Sequence, residues 1–264
     1  MAASAQPLAL HCETLGGEGD WVLLLHGLFG DGDNLRGLGR QLAETFRVAL
    51  VDLRNHGRSP HSDRMDLPSM AADVAALQDR LGAPATALVG HSLGGKVAMQ
   101  LAMTQPRRVT RLVLADIAPA AYPPGHQQIL AGLQALDLSA LADRRGADAA
   151  LAAWVPEPGV RQFLLKSLYR DGDGLHWRFN LPALVRCYDA LRAAPVGDPF
   201  PGPTLFIKGE HSDYITAEHR AAIEAAFPAF QFRMIANTGH WLHGERPAAF
   251  NRLVQQFLNG EMAG

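Results

Sequence analysis

Short apolar runs recur along this chain at intervals that leave room for a helix between them, and this rhythm limits the folds open to it. Trp21–Gly27 (WVLLLHG), Arg47–Leu53 (RVALVDL), Thr86–Gly90 (TALVG), Arg111–Ile117 (RLVLADI), Thr204–Gly209 (TLFIKG) and Phe230–Ile235 each read as a strand. Most are apolar at consecutive positions, as a strand covered on both faces must be. Stretches with helical spacing separate them. Leu35, Leu38, Leu42 and Phe46 recur within 34–46, and Met70–Leu81 follows a Pro68-Ser69 start signal. Leu93–Gln105 is stopped by Pro106, and Ala217–Phe227 and Pro247–Leu258 complete the series. Such alternation predicts a mostly parallel sheet with helices on both faces.

The rhythm breaks at Pro119. From there to about Gly202 the pattern gives helical stretches and loops but no convincing buried strand. Roughly 80 residues are too many for a loop. The expectation is a core formed by 1–118 and 202–264, with an inserted helical cap over 119–201. The cap holds Tyr122, Trp154, Phe163, Tyr169, Trp177, Phe179, Tyr188 and Phe200, eight of the chain's 19 aromatics. They either make the cap's own small core or line an apolar pocket above a site.

With 264 residues, 48% of them hydrophobic, the chain can build one sizeable core. A net charge of −2 offers no basic field for nucleic acid or an anionic membrane. Cys12 and Cys187, far apart, suggest neither a disulfide framework nor a cysteine metal site. No run is long enough for stable membrane insertion. The opening MAASAQPLAL lacks a charged start and a long apolar stretch, so no signal peptide is expected and the chain reads as soluble and cytoplasmic. The oligomeric state is not legible.

Leu88–Met99 (LVGHSLGGKVAM) fits two motifs. Gly90–Lys96 matches the start of a phosphate-binding loop, which needs Ser or Thr after the lysine to bind magnesium, and Val97 offers no oxygen. Lys96 then reads as a solvated or ion-paired helix residue. Gly90-His91-Ser92-Leu93-Gly94 also matches G-x-S-x-G, the sharp strand-to-helix turn that exposes a serine nucleophile. Glycines flank that turn because side chains there would clash. Eight serines among 26 glycines give about 0.08 chance matches, and the placement between a strand and a helix adds more. Gly27, Gly30 and Gly32 run in the wrong order for a dinucleotide fingerprint.

A serine hydroxyl needs a base and oxyanion donors. In this chain order the base follows the last strand, which selects His240 in NTGHWLHGE, with His243 as the nearest rival. His26, His56 and His91 read as structural hydrogen-bonding residues. The donors expected are backbone N–H groups at Leu93 and, in HGLFG, at Leu28, with Phe29 next. For the acid, Gly209-Glu210-His211-Ser212-Asp213 holds serine at the usual position and Asp213 one residue late. Asp116, at the strand end in LVLADIAP, is the other carboxylate available, and Glu210 a third. A helix cap is the competing role for Asp116.

HGLFGDGDNL, DLRNHGRSP, GHSLGGK, DIAP, FLLKS, WRFNLPAL and GHWLHGE resemble the α/β-hydrolase superfamily and, within it, the YbfF-type bacterial esterases and their mitochondrial relatives. The resemblance implies an eight-stranded core with a helical cap between the sixth and seventh strands. It implies hydrolysis of small-molecule carboxylic esters or acyl-CoA thioesters through an acyl-enzyme, with no cofactor and no metal. By position, Ser92 is the nucleophile, His240 the base, and Leu28 and Leu93 the oxyanion donors. Relatives carry Asp at position 116 and Ser at 212, which selects Asp116 as the acid, with Ser212 and Asp213 auxiliary. Perhydrolase or carbon–carbon hydrolase chemistry would use the same triad, and a ligand receptor could keep the same pocket.

Overall fold

The computed structural model describes residues 6–262, so the first five residues, on which part of the signal-peptide reading rests, lie outside the described residues. In chain order the strands are β1 (Cys12–Leu15), β2 (Trp21–Leu25), β3 (Arg47–Val51), β4 (Thr86–His91), β5 (Val109–Ala115), β6 (Leu168–Asp171), β7 (Gly174–Trp177), β8 (Thr204–Gly209) and β9 (Phe230–Ile235). The helices are α1 (Arg36–Leu42), α2 (Leu67–Arg80), α3 (Leu93–Thr104), α4 (Gln127–Ala135), α5 (Arg144–Leu151), α6 (Pro158–Leu165), α7 (Leu181–Arg192), α8 (Arg220–Ala226), α9 (Leu242–Glu245) and α10 (Pro247–Leu258).

Seven strands form the main sheet, in the order β1-β3-β2-β4-β5-β8-β9. Only β1 runs antiparallel, against β3. The expected eighth strand is absent among the described residues. Just ahead of β1, the Leu8 N–H donates to Asp73 Oδ1 and the His11 N–H to Ser59 Oγ, so side chains take donors that a ladder would need. The insertion accordingly follows the fifth strand in the chain, not the sixth.

The apolar runs divide by parity. Leu23, Leu25, Leu88, Leu112, Leu114 and Phe206 join the core on the α2–α3 side. Val22, Leu24, Val89, Val113, Leu205 and Ile207 join the core with residues of α1 and α10 on the other. A period of two thus feeds two faces, which is why these strands read as continuously apolar. Within 119–201 lie α4 to α7 and one feature the helical expectation missed, the β6–β7 hairpin.

The sheet order reverses between β2 and β4, and at such a switch point the carboxyl ends of the strands leave a crevice. There β4 turns into α3 through Ser92, whose φ is +51° and ψ −117°. A Cβ on Gly90 would lie 2.5 Å from the Gly94 carbonyl carbon, and one on Gly94 would fall against the Leu25 carbonyl. Because backbone blocks that methyl, Gly94→Ala is expected to destabilise the fold by about 3 kcal/mol, read from the urea midpoint. Gly37→Ala, on the exposed side of α1 with nothing within 4 Å, should be neutral or stabilising in the same assay.

Candidate active site

The carboxyl ends of neighbouring strands carry the candidate residues. Ser92 follows β4 and Asp116 follows β5, each fixed by a backbone bond across the sheet: Ser92 N–H to the Ala115 carbonyl at 3.1 Å, Asp116 N–H to the Ile207 carbonyl at 2.8 Å. Asp116 takes φ +53° and is fully buried. Its Oδ1 accepts the Gly209 N–H at 3.1 Å, and its Oδ2 accepts both the Ser212 hydroxyl and His240 Nδ1, the latter at 2.8 Å. Three donors suit an ionised carboxylate, which only accepts. With Nδ1 on Asp116, Nε2 is the His240 ring nitrogen that makes no bond to the carboxylate.

The structure therefore brings Asp116, Ser212 and His240 together and leaves the other carboxylates apart. Asp213 is exposed at the cavity rim, and Glu210 accepts the Asn237 N–H at 2.7 Å. His243 packs on His91, ring centroids 4.4 Å apart, with no carboxylate partner among the described residues. His91, beside Ser92, donates through Nε2 to the His240 carbonyl at 2.8 Å, joining the serine turn to the histidine loop.

The loop after β2 is a tight turn. The Gly30 N–H reaches the Gly27 carbonyl at 3.1 Å, and Phe29 takes φ +65° at the third position, as a type II turn requires. A Cβ on Gly27 would lie 2.9 Å from His91 Nδ1 and 3.3 Å from the Ser92 Cβ, so the turn sits directly on the serine. The Phe29 N–H is engaged by His56 Nε2 at 3.2 Å, which makes Leu28 the better candidate of the two donors. Leu93 opens α3, where an N–H has no partner within the helix. His26 and His56 fall into the structural role: His26 links the Leu53 N–H and the Gly27 carbonyl, and His56 links Phe29 and the Arg54 carbonyl.

Ser92, Leu28 and Leu93 open onto a cavity of about 490 Å³, walled largely by apolar groups, among them Ile117, Tyr122, Tyr188 and Leu191. The aromatics of the insertion thus divide: Tyr122 and Tyr188 face this cavity, while Trp177 stacks on Phe179 and Phe200 packs on Phe227. Lys96 corrects the sequence reading. It is neither solvated nor ion-paired but buried, with Nζ donating to the Arg192 and Ala193 carbonyls at 2.7 and 2.6 Å. Every residue from Leu93 to Met103 is buried, so α3 has no solvent face there. Burial, reinforced by the Arg192 charge, pushes the Lys96 ammonium down to about 7. Tyr214, which stacks flat on His240, was not singled out by any motif, and only its nearness to Ser212 points to it.

A family model described as "alpha/beta hydrolase fold" matches residues 20–247. The chain is 38% identical over 267 residues to the sn-1-specific diacylglycerol lipase ABHD11 of Mus musculus, across 97% of this chain and 87% of that protein. It is 38% identical over 239 residues to the esterase YbfF of Escherichia coli (strain K12), across 90% and 92%. Among solved structures, a marine microorganism esterase superposes with a TM-score of 0.92 at 35% identity, covering 95% of this chain and 99% of that one.

The histidines around the site are held neutral. Burial, with neighbouring histidines adding to it, pushes His56 down to about 3 and His91 well below its ordinary value. Burial, with His240 nearby, takes His126 and His243 each down to about 4. Unfolded, all four would titrate near 6.5. Between those values the unfolded chain binds more protons, so stability rises with pH. The contribution is fully present above about 6.5 and is lost as pH falls from there towards 4 and below. The urea midpoint is expected to drop steadily from pH 7 to pH 5; a flat profile would contradict this account.

Proposed function

The chain belongs to the α/β-hydrolase family, and on that premise we propose that it hydrolyses carboxylic esters through an acyl-enzyme on Ser92. The observation that carries the reading is the bond between buried Asp116 and His240 Nδ1, in a loop whose His240 carbonyl is tied to His91, the residue before a serine held at φ +51° on a strand-to-helix turn. His240 Nε2 takes the Ser92 proton as Oγ attacks the ester carbonyl. Asp116 holds the tautomer that leaves Nε2 basic and stabilises the imidazolium that forms. The Leu28 and Leu93 N–H groups bind the oxyanion. His240 then protonates the departing alcohol, and water repeats the sequence in reverse to free the acid. Ser212 supports Asp116 through its hydroxyl, and Asp213 takes no part in the proton transfer.

The apolar cavity beside Ser92 fits the acyl group of a small-molecule ester, and an acyl thioester presents the same carbonyl. The names of the relatives, an esterase and a diacylglycerol lipase, support an ester substrate. In this reading 1–118 and 202–264 form the catalytic core and 119–201 a cap that sets acyl preference, since Tyr122, Tyr188 and Leu191 supply one wall.

Ser92→Ala is expected to abolish turnover while leaving the melting temperature near that of the parent, and a fluorophosphonate adduct should map to Ser92. Asp116→Asn should lower kcat by about 10⁴, as loss of the correct tautomer does elsewhere. Asp213→Asn should change it little. Steady-state kinetics on short acyl esters checks this ranking, and the reverse order would move the acid to the loop after β8.

A further inference from the structure

The proposed reaction gives Tyr214 no part and Tyr122 only a place in the cavity wall, yet Tyr214 lies on His240 and Tyr122 packs on Tyr214, ring centroids 5.3 Å apart. Tyr214 lays its ring on His240 with centroids 3.8 Å apart and planes 16° from parallel. Both backbone groups of Tyr214 are tied. Its N–H donates to Ser212 Oγ at 3.2 Å, and its carbonyl accepts the Tyr122 hydroxyl at 2.6 Å. Ser212 in turn donates to Asp116, so one short loop serves both the carboxylate and the imidazole.

Tyr122 is held from every side. Its hydroxyl accepts the Ala118 N–H at 2.8 Å, its ring lies 4.8 Å from Lys96 Nζ, and its backbone exchanges two bonds with Arg192, each 2.9 Å. The chain leaving β5 and the chain returning from α7 therefore meet at this residue.

A single bond from Nδ1 to Asp116 leaves an imidazole free to swing about that bond. A ring pressed flat against it removes the swing. The same face attracts the imidazolium once the proton arrives, because a tyrosine π face favours a cation. Misplacement of a reacting group by about 1 Å costs on the order of 100-fold in rate.

We propose that Tyr214 is a positioning residue for His240 and that the Tyr122 hydroxyl is the strut that holds it there. The proposal rests on the reading of His240 as the base. Tyr214→Leu removes the ring, and Tyr122→Phe removes only the hydroxyl. Three readouts separate positioning from wall-building: kcat and KM on a short acetyl ester, the rate of phosphonylation by a small fluorophosphonate, and the His240 ring-proton shifts in NMR spectra.

Tyr214→Leu should lose about 10- to 100-fold in kcat and in phosphonylation alike, with KM moving far less. Tyr214→Phe should restore most of that loss. Tyr122→Phe should fall about 5-fold in both rates, the worth of one hydrogen bond. The His240 ring protons should move downfield in Tyr214→Leu as the ring current is removed, and should stay in place in Tyr214→Phe. Phosphonylation of Tyr214→Leu at the parent rate, with only KM or acyl preference changed, would overturn the proposal. If Tyr214→Leu fails to fold, Tyr122→Phe decides: parent rates there overturn the strut. The NMR comparison is repeated in Ser92→Ala. Turnover persisting in Ser92→Ala would sink the acyl-enzyme reading, while unmoved ring protons in that background would sink the stacking by itself.

Discussion

Everything at the site depends on one close crossing, where β2, β4 and α3 meet at Ser92. Gly90 and Gly94 admit backbone where side chains would stand, and Gly27 lets the neighbouring turn rest on the serine. A non-glycine residue at φ +51° costs of order 1–3 kcal/mol and persists only where its surroundings overdetermine it. Here the bond from the Ser92 N–H to Ala115 and the one from the Lys96 N–H to the Ser92 carbonyl, both 3.1 Å, fix the turn from either side. The strain sets the direction in which Oγ leaves the sheet. It also places the free N–H groups at the start of α3 beside the serine, where the helix dipole favours negative charge.

The electrostatics follow from one buried carboxylate without a cationic partner among the described residues. Asp116 is fully buried, and its donors Gly209, Ser212 and His240 are neutral as long as the imidazole is neutral. A buried charge so placed is costly until the imidazole takes a proton and becomes its counter-ion. In the proposed reaction that pairing develops only as Ser92 attacks, so it lowers the barrier rather than tightening ground-state binding. The neighbouring histidines must then stay uncharged. With His91 and His240 centroids 4.7 Å apart, two imidazolium charges would repel by about 3–4 kcal/mol at an effective dielectric near 20. Burial of His91, which holds it neutral, removes that penalty.

What the sequence made legible was whatever rests on periodicity or on a local turn. Apolar runs, continuous in most strands and alternating in β9, located six of the seven main-sheet strands, and β8, β9 and α10 fall within the bounds their patterns suggested. The glycine-flanked serine marked the turn because the steric reason is local. Asp116, at a strand end, was one of three carboxylates the residues left open, and the family resemblance singled it out. Relations across the fold were hidden. Nothing in LVGHSLGGKVAM tells that α3 is enclosed, so Lys96 read as a surface residue. The β6–β7 hairpin escaped because its strands are four residues long and half-exposed, although Gly172-Asp173 between them is a two-residue turn signal. That His56 occupies the Phe29 N–H, and so favours Leu28, depends on residues 27 apart and has no sequence signature.

In the proposed reading, chemistry and specificity are drawn from different stretches of chain, and α3 joins them. Leu28, Leu93 and Ile117 wall the cavity from the core, while Tyr122, Tyr188 and Leu191 wall it from the insertion. In that proposed reaction, contacts with an acyl group can therefore vary with the insertion while Asp116 and His240 stay fixed. Two walls from separate segments need a rigid joint, and Lys96 and Gln100, one turn apart on α3, supply it. Lys96 Nζ satisfies two carbonyls at the end of α7, and Gln100 exchanges two bonds with the Val196 backbone, 2.7 and 3.0 Å. A carbonyl left unpaired at either point would cost about 1–3 kcal/mol. Leucine or methionine at position 96 would suit the apolar cavity yet strand both carbonyls, so a buried lysine is the residue that keeps the two walls in register.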